Sequence, residues 1–226
     1  MCSRLNIRLT PAALQEFFDV VRSVPQFPMR YNVNPTDPVV YLVDGEAGRE
    51  GRIGPWGFSA SWEKGLPIFN TRAVEAFDKR MWRDFIRRQR CLVPVTSYYE
   101  FTDSGKRRRQ RWHVWPKSGE PMGLAGVFNG KGEISILTND PNAEQATIHD
   151  RQPVILPRDV WSRYLDPTIT EPDEIRPMLR TPPDGSVVLQ AVAESQKEWQ
   201  PDSPEWIKPA EPVEIPKQKS LFDDLG

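Results

Sequence analysis

The sequence predicts an α+β domain, an antiparallel sheet or partial barrel with helices on its flanks. Three observations predict it. Apolar residues recur at helical spacing near the start and again from about Thr71 to Arg88. Beyond Arg90 the pattern turns to short β-rich runs broken at Gly, Asn, Asp and Ser. A chain of 226 residues suits one core with an appendage.

The first helix is announced by Thr10-Pro11, an N-cap followed by a first-turn proline, with Leu14, Phe17, Phe18 and Val21 on one face. Val39 to Val43 is apolar and β-branched and reads as a strand, and the Gly and Pro of residues 54–62 read as bends. A second helix is expected from about Thr71 to Arg88, with Val74, Phe77, Met81 and Phe85 inward and Lys79, Arg80, Arg83 and Arg87 outward. Cys91–Val95, Tyr98–Phe101, Arg111–Trp115, Met122–Phe128 and Glu133–Thr138 then read as a five-stranded meander. Pro157 to Leu165 reads as a helix and Val187 to Val192 as a closing strand. From about Gln196 the chain is rich in Pro, Glu and Lys, which predicts a flexible tail. The expected organisation is a catalytic domain over residues 1–195 and a tail over 196–226.

The formal charge of -1 conceals a division. Residues 1–165 carry 24 Lys plus Arg against 18 Asp plus Glu, so the body is basic and the remainder acidic. That balance suits a nucleic-acid protein, and it equally suits ordinary solvated surface charge. No run is long and apolar enough for a membrane span, and the start lacks a signal-peptide pattern. A soluble, cytoplasmic protein is expected, with both of its cysteines, Cys2 and Cys91, as free thiols. The two histidines and two cysteines lie far apart in sequence, which argues against a metal site, and no cofactor fingerprint occurs.

Cys2 directly follows the initiator, and its small side chain permits removal of Met1. What remains is an α-amine and a thiol on adjacent carbons. The amine, with an ordinary pKa of about 7.7 to 8.0, is partly neutral near neutral pH and adds to aldehydes. The thiol then closes a thiazolidine on the same carbon. On its own an incidental cysteine explains the position as well. His149 precedes an apolar stretch and is a candidate proton shuttle, or a structural histidine. Glu100 lies among Tyr98, Tyr99 and Phe101, neighbours that would desolvate a carboxyl and raise its pKa; an ordinary salt-bridged Glu is the alternative. Arg87, Arg88 and Arg90, and Lys106 to Arg109 with Arg111, are runs that could follow phosphates or simply face solvent. Trp56 and Trp62 could stack on bases, and core packing explains them equally.

Met1-Cys2-Ser3-Arg4, Arg30-Tyr31-Asn32-Val33-Asn34-Pro35, Trp56-Gly57, Asn70-Thr71-Arg72, Cys91-Leu92-Val93-Pro94 leading to Tyr99-Glu100-Phe101, and His149-Asp150-Arg151-Gln152-Pro153-Val154-Ile155-Leu156 occur in this order. Together, over residues 2–156, the set resembles the SOS-response-associated peptidase (SRAP) family, whose members crosslink to abasic sites in single-stranded DNA. The resemblance implies a compact α+β fold around a distorted β-barrel. It implies Cys2 as nucleophile, Asn32 orienting the sugar or the ring-closing intermediate, Glu100 as the acid/base that opens the deoxyribose, and His149 as the proton carrier. Arg4, Asn70, Arg72, Arg80 and Arg151 would hold phosphates or the lesion nucleotide, and Trp56 and Trp62 would join that DNA-binding surface. The family pattern has Gly where Ser3 stands, Glu where Val74 stands, and often Met where Gln152 stands.

Expected partners are single-stranded DNA with abasic sites and, through the tail, a bacterial sliding clamp. Gln218-Lys219-Ser220-Leu221-Phe222 resembles the short clamp-docking peptide in which Gln is followed by Leu-Phe, with Gln218, Leu221 and Phe222 as anchors. The reading is of a monomeric, bacterial or phage-encoded protein that works at the nucleoid, with lyase and self-processing activity as associated expectations. Two other readings remain open at this point: a thiol peptidase or amidase in which Cys2 attacks an acyl carbon, and a non-enzymatic single-strand binder.

Overall fold

The computed structural model describes residues 2–22, 26–59, 67–103, 109–193 and 202–212. In chain order the elements begin with β1 (Arg4–Ile7), α1 (Pro11–Phe18), β2 (Arg30–Val33), β3 (Pro38–Gly45), β4 (Gly48–Pro55) and β5 (Asn70–Arg72). Next come α2 (Ala73–Ala76), α3 (Arg83–Arg88), β6 (Arg90–Val95), β7 (Ser97–Asp103), β8 (Arg109–Pro116), β9 (Met122–Phe128) and β10 (Ile134–Asn139). The chain continues through α4 (Ala143–Ala146), β11 (Gln152–Pro153), β12 (Ile155–Leu156), α5 (Trp161–Leu165), α6 (Pro172–Ile175) and β13 (Val187–Val192).

The strands form two sheets that do not close into one barrel. The first is five-stranded, ordered β13-β8-β7-β1-β2. The second runs β11-β10-β9-β6-β3-β4, with β12 added on β9 and β5 on β10. Period-two alternation turns the second sheet into a shared wall. Val39, Tyr41 and Val43 of β3 and Cys91, Val93 and Val95 of β6 pack with Leu5, Val33, Tyr98 and Val114 of the first sheet. Val40, Leu42 and Leu92 face the other way, onto Leu14, Phe18, Phe77, Trp82, Ile86, Trp161 and Tyr164 of the helical layer. The class is α+β, in three layers.

The expected first helix is present. Thr10 Oγ1 accepts the Ala13 N–H at 3.0 Å, and Asp19 ends the helix in the left-handed region at φ 55°. Three expectations differ. The meander is absent, because β6 pairs with β9 while β7 pairs with β8. Only Thr96 separates β6 from β7, too little for a hairpin loop, so the chain passes from one sheet to the other. The long second helix is absent too. Asn70–Arg72 form a parallel strand on β10, and two short helices follow. Val74, expected on the apolar face, is 58% exposed. In the third case Pro157–Leu165 is helical only from Trp161, after a 3-10 turn at Arg158–Val160.

Part of the expected tail is built into the domain. Asp202 Oδ1 accepts the N–H groups of Tyr31 and Asn32, each at 2.7 Å, on the outer strand β2. Trp206 is buried, its ring 5.7 Å from Tyr99 with the Arg111 guanidinium 4.1 Å above it. Lys208 and Ala210 then hydrogen-bond the end of β13 through Ala193 and Ala191. Residues 202–210 therefore strap the first sheet from edge to edge. Composition hid this because one buried tryptophan and a proline-stiffened turn offset the ordering entropy that a polar segment otherwise cannot. Trp206→Ala is expected to cost about 3 kcal/mol of stability, read as a lower denaturant midpoint at unchanged m-value. Gln218, Leu221 and Phe222, Trp62 and residues 104–108 of the second basic run lie outside the described residues.

Candidate active site

Strand β1 lies between β7 and β2, with Arg4 opposite Tyr99 and Leu5 opposite both Tyr98 and Val33. Cys2 lies two residues before this inner strand and is 1% exposed. Its thiol donates a long hydrogen bond to the Arg4 carbonyl, Sγ to O 3.7 Å. Asn70 Nδ2 donates to the Cys2 carbonyl at 2.6 Å, and the buried Oδ1 of Asn70 has no hydrogen-bond partner among the described residues. Pairing of β5 with β10 aims this amide at Cys2, with Thr71 Oγ1 against Ser135 Oγ at 2.9 Å securing the strand beneath.

Glu100 projects from β7 and is 1% exposed. Its Oε1 accepts the Phe101 N–H at 3.2 Å and lies 3.8 Å from His149 Nε2. Burial raises its carboxyl above the ordinary value; the α-amino charge at the start of the chain pulls it down and Asp150 pushes it up. His149 follows α4, whose N-cap Asn142 accepts the Gln145 N–H at 3.0 Å, and the His149 N–H ends on the Gln145 carbonyl at 2.9 Å. Its Nδ1 has two competing neighbours, the Arg151 N–H at 3.0 Å and Asp150 Oδ1 at 2.8 Å. A neutral ring accepts from Arg151, and a protonated one donates to Asp150, so each protonation state has a partner ready. Burial lowers the His149 pKa, the α-amino charge lowers it further, and Asp150 raises it. A carboxyl held up beside an imidazole held down is an arrangement able to exchange protons.

The Cys2 thiol is pushed far above its ordinary value, by burial first and by the Glu100 charge second. It rests as a thiol, not a thiolate. Cys91 is also a free, buried thiol, raised by burial. His113, the other histidine, bonds Ser97 Oγ at 2.6 Å on the opposite face of β7 and is pushed down to about 4 by burial, which keeps it neutral and out of the site.

The structure brings Cys2, Glu100 and His149 together with Asn70. It does not bring Asn32 to Cys2. The antiparallel register sets Val33 opposite Leu5, which carries Asn32 away from the end of β1 that bears the cysteine. Arg4, Arg72 and Arg151 stand at the site. Arg4 Nη1 donates to the Ser3 carbonyl at 2.9 Å, Arg72 pairs with the exposed Asp140 at 3.1 Å, and Arg151 bonds Thr138 Oγ1. Arg72 and Arg151 lie close enough for the Arg72 charge to add to burial in lowering Arg151. Arg80 is exposed in the turn between α2 and α3. Trp56 is fully buried, its Nε1 donating to the Phe69 carbonyl at 2.9 Å, so it packs the core and is not available to stack on a base. Asp150, Tyr98 and Gln145 were not picked out from sequence. The signal was their spacing, one residue from His149, two from Glu100 and four from His149. Among the described residues no three His, Cys, Asp or Glu are grouped to hold a metal ion, and no helix is long and apolar enough to cross a membrane.

The fold and the site define a two-sheet α+β domain with a cysteine next to its first residue enclosed by an amide, a buried carboxyl and an imidazole. The chain belongs to the SOS response associated peptidase (SRAP) family, whose sequence model matches residues 1–197. It is 27% identical over 194 residues to "Abasic site processing protein YoaM" of Bacillus subtilis, covering 79% of this chain and 85% of that protein. It is equally 27% identical over 195 residues to "Abasic site processing protein YoqW" of Bacillus phage SPbeta, covering 80% and 87%. A solved Bacteroides thetaiotaomicron protein has the same fold, with a TM-score of 0.80 at 19% identity over 92% of this chain and 100% of that one.

Proposed function

We propose that this protein processes abasic sites in single-stranded DNA by capturing the lesion aldehyde on Cys2 after loss of Met1. One observation favours this over a thiol peptidase. A peptidase cysteine needs a thiolate made by an adjacent imidazole, whereas the Cys2 thiol is raised and bonded to the Arg4 carbonyl. In capture the α-amine is the first nucleophile, so a protonated thiol at rest is compatible with the reaction.

The steps follow from the side chains. Glu100 gives a proton to the ring oxygen of the deoxyribose hemiacetal as the anomeric hydroxyl loses one, and the ring opens to the aldehyde. The Cys2 amine adds to the carbonyl carbon, and the carbinolamine loses water to leave an imine. The Cys2 sulfur then bonds the same carbon, its proton passes to the imine nitrogen, and a thiazolidine results. His149 carries protons between these steps, with Arg151 N–H and the Asp150 carboxylate as its alternating partners. Asn70 holds the Cys2 carbonyl and offers Oδ1 to the amine or to a lesion hydroxyl. Arg4, Arg72 and Arg151 hold the flanking phosphates, which positions the strand without reading sequence.

The test is incubation of the mature protein with an oligonucleotide bearing one abasic site, followed by denaturing electrophoresis. A shifted band is expected from protein that has lost Met1, and none from protein in which an inserted residue keeps Cys2 internal. A band of equal strength from the blocked protein would overturn the reading, and Cys2-dependent cleavage of peptides without a band would favour the peptidase.

A further inference from the structure

A second pair of side chains spans the same gap as Glu100 and His149. Tyr98 lies two residues before Glu100, so both project from one face of β7. Gln145 lies four residues before His149, and its carbonyl accepts the N–H groups of Ile148 at 3.0 Å and His149 at 2.9 Å. The Tyr98 hydroxyl donates to Gln145 Oε1 at 3.0 Å, and neither side chain is exposed. On the same strand face, Thr102 Oγ1 donates to the Ile148 carbonyl at 3.2 Å and receives Trp112 Nε1 at 2.9 Å. Residues 98, 100 and 102 of one strand thus meet residues 145, 149 and 148 of one turn. The catalytic couple is flanked by structural contacts on both sides. Gln145 is braced from behind as well, since Asn142 caps its N–H and the Asn142 N–H donates to the buried Gln152 Oε1 at 2.9 Å.

We propose that Tyr98 and Gln145 are positioning residues for the reaction at Cys2, their hydrogen bond locking β7 to the 145–149 turn and so fixing the approach of His149 to Glu100. This rests on the capture reading above. Burial, and then the charges of Cys2 and Glu100, keep the Tyr98 hydroxyl protonated, so the bond persists at every working pH. Among the described residues the charged groups facing His149 are Glu100 from β7 and Asp150 and Arg151 from its own segment.

Tyr98→Phe, Gln145→Met and the double variant test it, by the rate of adduct formation and by NMR titration of the His149 imidazole. His113, the other imidazole, titrates separately near its lowered value of about 4. Each single change is expected to slow capture by about tenfold, since small misplacements of reacting groups are costly in rate. The His149 midpoint should rise as the loosened turn admits water. The double variant, which removes the same bond once, should match the singles instead of multiplying their losses. With apolar groups on both sides it also leaves no buried polar atom newly stranded, so it supplies the reading if a single variant does not fold. Rates within about twofold of the parent with an unmoved His149 midpoint, or multiplicative losses, would overturn the proposal. A parent protein that makes no adduct would sink the capture reading, and the His149 midpoints would still report on the positioning.

Discussion

Cys2→Ala is expected to abolish the denaturation-resistant product with abasic single-stranded DNA and to leave the fold intact. The side chain is small, and its one hydrogen bond is a long thiol contact to the Arg4 carbonyl, so little packing is lost. The chemistry loses more. Alanine at the N-terminus still presents an amine, so an imine can form, but no sulfur follows to close the ring, and water reverses the imine during denaturation. Borohydride should therefore rescue a band from Cys2→Ala by reducing the imine in place. Cys2→Ser should behave similarly, because a hydroxyl closes a less durable ring than a thiol. The measurement is the fraction of labelled oligonucleotide retained on protein after heating, with and without reductant. A Cys2→Ala protein that crosslinks as durably as the parent without reductant would remove the thiazolidine from the mechanism.

The α+β class and most strands were legible from period-two runs, because Val39 to Val43 and Cys91 to Val95 alternate between two cores. Their partners were not legible, because strands buried on both faces carry no mark of which ladder they join. The segment around Asn70 misled for a related reason. Helical spacing from Val74 to Phe85 is present, yet the backbone of Asn70–Arg72 is claimed by β10, a pairing set by residues more than sixty positions away. Cys2, Glu100 and His149 stood out as candidates because each has distinctive chemistry on its own, and the fold places them together. The two asparagines do not differ in that way. Asn32 and Asn70 are chemically equal in sequence, and only the register of β1 against β2 and of β5 against β10 decides that Asn70 reaches Cys2. Trp56 was likewise ambiguous until its indole N–H was seen to end on the Phe69 carbonyl inside the core.

Glu100→Gln should separate catalysis from stability by moving them in opposite directions. Glutamine keeps the shape and can still accept the Phe101 N–H, but it cannot exchange a proton with the sugar, so capture should slow by about a hundredfold or more, the usual scale of general acid–base catalysis. The pH dependence should change with it. In the parent, acid should suppress capture by protonating the α-amine, and alkali should suppress it once Glu100 has given up its proton. The variant should keep the acid limb and lose the alkaline one. Stability follows from the raised carboxyl, whose main cause is burial. The folded protein holds this proton more tightly than the unfolded chain, so the contribution of Glu100 is complete below its ordinary value of 4.5 and is lost as pH rises through the raised folded value. Glutamine does not titrate and escapes that loss. Melting temperatures of the two proteins should therefore converge near pH 4 and diverge above it, with Glu100→Gln the more stable. A variant that is slower and also less stable at neutral pH would mean that Glu100 is held as a paired structural carboxylate. A slower, more stable one would mean that the site bears the cost of a buried acid for the sake of opening the sugar.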